Sequence, residues 1–122
     1  MLTRIRMELA RMEGFPEGSR AHGYEFVAPL DKDGHIDAAE WHEVKDKCTV
    51  RRFWGGDEDE FGKLRYLGHG WRFDYDPRDA DDDEPLFKLD RHLLKEGAYV
   101  SVTEHDGVRR PFRIVEAVPA AS

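Results

Sequence analysis

Apolar and polar residues alternate with a period of two through much of the chain, which is the mark of half-buried strands. Over 3–11, Ile5, Met7 and Leu9 fall on one side and Arg4, Arg6 and Glu8 on the other. Leu2, Ile5, Leu9 and Met12 also satisfy a helical stripe, but the next stretch of chain favours a strand. The breaker Gly14-Phe15-Pro16-Glu17-Gly18-Ser19 leads into a second alternation through Tyr24, Phe26, Ala28 and Leu30, so the two segments predict an antiparallel pair. Pro29, which has no N–H to donate, is expected at the end of that second strand.

The pattern then changes. Asp37 with Glu40 three residues on is a capping-box variant, and Ile36 before it can pack on Trp41 as a staple, so a short helix is expected over 38–46 with Trp41, Val44 and Cys48 as its buried stripe. Cys48 to Trp54 is rich in β-formers and is stopped by Gly55-Gly56. Leu64 and Tyr66 alternate with Lys63 and Arg65; Gly68-His69-Gly70 then turns the chain into Trp71, Phe73 and Tyr75, three aromatics on one face of a strand. Leu86 to Leu89 is a further short strand. Val100 and Val102 lie on the strand after Gly97, and Pro111 to Val118 returns as its partner across a turn at Glu104-His105-Asp106-Gly107.

About six to eight short strands with one short helix, and no βαβ alternation, predict a mainly β fold, a small antiparallel β-barrel or barrel-like sheet. A barrel is preferred to a sandwich because these strands carry little that would protect an exposed edge. The 122 residues fit one domain, 1–122. No stretch approaches the about 18 apolar residues of a membrane span, and charges stand where a signal peptide has its apolar core. The lone cysteine, Cys48, cannot form an internal disulfide, and no CxxC pair is present for zinc, so a cytoplasmic protein is expected.

The net charge of −7 is unevenly distributed. Asp57 to Glu60 contributes −4, and Asp74 to Glu84, with seven acids against Arg78, contributes −6, which leaves +3 on the rest of the chain. The loops 57–60 and 76–84 are therefore expected to be solvated, since like charges repel and resist burial. Their functional alternatives are repulsion of nucleic acid or docking of a basic partner. Because the body is mildly basic, net charge alone leaves an anionic partner open.

Candidate chemistry is sparse. With Gly34 at the sixth position, Asp31, Asp33, Asp37 and Glu40 fall where an EF-hand calcium loop carries its third, fifth, ninth and twelfth ligands, so this segment resembles such a loop. It departs at the first position, which is Pro29, and a strand rather than a helix leads in; turn and cap chemistry accounts for the same residues. The six histidines form no HxH or HxxxH pair; His69 and His105 are expected solvated in turns, and His92 half-buried. Cys48 is expected to be a buried, inert thiol, and Ser19, Ser101 and Ser122 lack the surroundings of a nucleophile. Arg51-Arg52 beside Phe53-Trp54, Arg72 within 71–75, and Arg109-Arg110 before Phe112 interleave basic and aromatic residues as single-strand-binding barrels do. Alternation, however, sends many of those aromatics to the face opposite the arginines, the pattern of a core with a solvated exterior.

These features point to a non-enzymatic cytoplasmic β-domain, a binding or interaction module for a protein or small molecule, with no cofactor or metal. Arg52, Trp54, Trp71, Tyr75 and His92 are the candidate ligand-binding residues, the first four grouped at a barrel mouth. The alternatives are a small enzyme with His92 and carboxylates in a cleft, and a barrel that binds single-stranded nucleic acid.

Overall fold

The structure, a computed structural model, describes residues 1–66, 70–75, 83–86 and 88–120, with the side chain of Asp90 excepted. The loop 76–82 and His69 lie outside the described residues, as does most of the turn before Trp71. Eight strands, β1 (Leu2–Leu9), β2 (Ser19–Pro29), β3 (Thr49–Trp54), β4 (Glu60–Tyr66), β5 (Trp71–Asp74), β6 (Glu84–Leu86), β7 (Tyr99–Thr103) and β8 (Arg109–Pro119), form an antiparallel closed barrel in sequence order. β1 closes the ring on β8, with Ile5 opposite Ala117, so no edge is left unpaired. The short strand expected at 86–89 lies earlier, at Glu84–Leu86, and Leu89 instead starts a 3-10 turn running to Arg91.

An eight-stranded barrel is just wide enough to be filled by side chains. Here the inward residues of the alternating strands fill it: Ile5, Met7, Tyr24, Phe26, Leu64, Phe73, Phe112 and Ile114 are all essentially inaccessible. Close packing demands glycine where the walls approach. A Cβ on Gly23 of β2 would stand 2.2 Å from the Met7 carbonyl oxygen and 2.9 Å from the Phe53 ring. Gly23→Ala is therefore expected to lower stability by about 1–3 kcal/mol, the usual range for overpacking. An unchanged urea midpoint would mean that β1 and β2 part freely at this point.

Because the strands run as a meander, alternate connections gather at the same end of the barrel. The connection between β2 and β3 holds helix α1 (Ala38–Val44), which begins where Asp37 accepts a hydrogen bond from the Glu40 amide at 3.0 Å. The reciprocal half of a capping box is absent, since the Glu40 carboxylate turns to the amino group of Met1 at 2.6 Å. The helix is shorter than expected: a 3-10 turn over Lys45–Lys47 follows it and leads to Cys48, which is fully buried. α1 seats Trp41 in its end of the barrel, where the indole N–H donates to the Leu64 carbonyl at 3.0 Å and the ring meets Trp71 edge-on. The other end receives the connections β1–β2, β3–β4, β5–β6 and β7–β8.

Candidate functional site

The end opposite α1 holds a network of polar side chains, of which Tyr24, Arg52, Glu84 and Glu104 are buried. Its anchor is Arg52. In β3 the inward positions are Val50, Arg52 and Trp54, so a guanidinium enters the barrel while Phe53 faces outward, covered by Arg6 at 4.4 Å and Arg51 at 5.1 Å. For Arg52 and Phe53 this reverses the expectation that arginines lie outside and aromatics inside, which holds for Arg51, Trp71, Phe73 and Phe112.

Around Arg52 stand two glutamates whose side chains are 0% exposed, Glu84 at the start of β6 and Glu104 just after β7. Arg52 Nε donates to Glu104 Oε2 at 3.1 Å and lies 3.7 Å from Glu84 Oε2. Glu84 is otherwise held by hydroxyls and backbone: Oε1 accepts from Tyr75 at 2.6 Å and Oε2 from the His105 amide at 3.1 Å. Arg110 Nη1 donates to Glu104 Oε1 at 2.7 Å, so each buried carboxylate is bound at both oxygens. Burial nevertheless raises the pKa of Glu84, with the like charge of Glu104 adding to the effect, although the bonds from Tyr75 and Tyr24 work against it. Burial likewise pushes both tyrosine hydroxyls far above the ordinary phenol range, so they act as donors.

Tyr24 sets a proton count. Its hydroxyl lies 2.5 Å from Glu104 Oε2 and 2.9 Å from Glu84 Oε1. A phenol carries one proton, and two ionised carboxylates supply none. One proton cannot satisfy both contacts, so the trio is best matched when a carboxyl group holds a second proton.

Toward solvent the network ends in Glu60, His105 and Trp54. His105 Nε2 lies 3.0 Å from Glu60 Oε2. Burial alone would lower its pKa, but the Glu60 bond and the charge of Glu84 outweigh that and raise it. His105 is exposed, as expected of a turn residue, but its ring is bonded to Glu60, and Glu104 of the same turn is a core residue. The Trp54 ring carries Arg52 at 4.5 Å and Arg110 at 5.4 Å, and His22 meets it edge-on with centroids 4.2 Å apart. The loop residues Asp57, Glu58 and Asp59 are exposed as expected, but Glu84, assigned by its neighbours to a solvated loop, is buried.

No family model, curated protein or solved structure matches this chain. The site is therefore read from its own geometry. Of the candidate residues, Arg52, Trp54 and Tyr75 do converge at this end. Trp71 does not: it starts β5, at the α1 end, and is buried against Trp41. His92 follows the 3-10 turn near that same end, half-buried, and its ring has no bonded partner among the described residues. Three of the four carboxylates of the EF-hand-like loop have other uses. Asp31 Oδ1 accepts from the amides of Asp33 and His35, Asp37 caps α1, and Glu40 pairs with the N-terminus. Sequence reasoning missed Tyr24, Glu60, Glu84, Glu104, His105 and Arg110. For Tyr24 and Arg52 a signal existed, because counting inward positions along β2 and β3 puts both inside.

Proposed function

We propose that this protein is a binding module whose recognition surface is the polar end of the barrel, and that its partner is a lysine- or arginine-rich segment of another protein. The observation that supports this reading is how the charges are stacked. Beneath the surface, Arg52 and Arg110 are already committed to Glu84, Glu104, Glu60 and Asp106. Above them, Asp57 and Glu58 are exposed without an ion pair among the described residues, while Asp59 shares Arg51 with Glu25. Carboxylates thus outnumber guanidiniums at this end, and the half-exposed Trp54 offers a ring to a further cation. The bonded frame below holds these groups in place, so an incoming chain would face a surface ordered in advance.

An oligolysine peptide titrated against the full chain, followed by Trp fluorescence, is expected to bind at low ionic strength and to weaken steeply as salt rises. The double substitution Asp57→Asn with Glu58→Gln leaves the buried network untouched and is expected to cost about tenfold in affinity, or ~1.4 kcal/mol. Absence of binding at low salt, or equal affinity in the double variant, would overturn the reading.

A further inference from the structure

The barrel wall is thinnest between β6 and β7. β6 has three residues, and among the described residues a single registered pair, Leu86 with Val102, joins it to β7. A cleft of about 460 Å³ opens on the outside of this seam. Arg72, Lys88, Arg91 and Arg109 line it, Leu86 and Leu89 form part of its floor, and none of its described lining residues is acidic. It lies apart from the polar end and shares no side chain with the network there.

We propose that this cleft binds a small organic phosphate of mononucleotide size. Four observations converge. Four cationic residues line one concavity, and Arg91 among them is exposed with no ion pair among the described residues, so a multiply charged anion would be attracted there. Arg72 is held by Asp83 at 3.5 Å through one terminal nitrogen, and its side chain keeps 21% of its surface exposed. A planar guanidinium fork with an exposed edge suits the oxygens of a phosphate. Lys88 adopts φ 49° and ψ 43°, in the left-handed region, and is the one non-glycine residue there among those described. A side-chain-bearing residue held in that conformation beside a cleft is a recurrent feature of ligand sites. Finally, the volume is that of a small-molecule pocket, and the leucine floor suits the less polar body of a nucleoside. A single nucleotide fits better than an extended strand. The cations surround one concavity rather than tracking along the wall, and a strand continuing past Arg109 would run toward the acids of the polar end.

Amide chemical-shift mapping of the full chain with adenosine 5′-monophosphate, adenosine and inorganic phosphate tests this. The nucleotide is expected to saturate and to shift the amides of Arg72, Lys88, Leu89 and Arg91, with adenosine and inorganic phosphate each at least about tenfold weaker. Arg91 is exposed, with no ion pair among the described residues, so Arg91→Gln is expected to keep the wild-type fold while weakening the nucleotide about tenfold. Three outcomes would overturn the proposal: no saturation in the millimolar range, shifts confined to other regions, or an unchanged affinity in Arg91→Gln. A short oligothymidylate that binds with a steep salt dependence while the mononucleotide does not would also overturn it, assigning the wall to single-stranded nucleic acid instead.

Discussion

Replacing Arg52 with methionine is expected to destabilise the protein at neutral pH by about 3–5 kcal/mol, the cost of leaving a buried charge without its partner. Arg52 is the cation between two carboxylates that are fully removed from solvent, and Arg110 touches only Glu104 of the two. With Arg52 gone, the negative charge of the Glu84–Glu104 pair would be left with Arg110 alone, in a medium that screens it poorly. Methionine fills the volume, so a lost cavity term is not the source of the effect. Part of the loss should be recovered at about pH 4, where Glu84, whose pKa burial raises, holds a proton. Urea titrations at the two pH values separate the outcomes. A deficit below about 1 kcal/mol at neutral pH would put this ion pair in the class of exposed salt bridges.

Glu84 is expected to show the second large effect, through the proton it shares with Tyr24 and Glu104. Its pKa in the folded protein lies above the ordinary 4.5, chiefly through burial, so between those two values the folded state holds a proton that the unfolded state has released. This contribution to stability is complete below pH 4.5 and is lost as pH rises through the folded value. Glu84→Gln keeps an acceptor for the His105 amide and presents its amide N–H2 toward Tyr24 and Tyr75, whose hydroxyls can accept as well as donate, and so imitates the protonated acid. It is expected to remain within about 1 kcal/mol of wild type at about pH 4.5, where Glu84 holds its proton, and to flatten the stability–pH curve above that. Glu84→Ala strips the acceptor from Tyr24, Tyr75 and the His105 amide at once, and should cost several times ~1 kcal/mol. A glutamine variant as unstable as the alanine variant, or one with the wild-type pH slope, would show that Glu84 is ionised in the folded protein.

The strands were legible because their apolar residues alternate locally. Val100 and Val102, Phe112 and Ile114, and Trp71 and Phe73 each mark one face within a few residues, and each pair is buried. The start of α1 was legible for the same reason, since Asp37 and the Glu40 amide are three residues apart. The polar end was not. Glu84 sits among acids and Glu104 in a turn sequence, so every local rule assigns them to solvent. What buries them is the approach of Tyr24, 60 and 80 residues away, together with Arg52 and Arg110. The grouping of Trp71 with Tyr75 failed on simple geometry: four residues along a strand span about 13 Å, enough to carry one to each end of a small barrel.

The sequence by itself thus determined the period-two strands, the capped helix and a mainly β fold, because those arise from contacts between residues close in the chain and from the need to bury one face of each strand. Only the tertiary structure decided which charges are buried. A carboxylate can leave water when several donors meet it at once, and those donors come from β2, β3, β8 and the residue after β5, which are brought together by the ring closing. The same closure, weakest at β6, decided that the basic residues of the wall gather around a cleft.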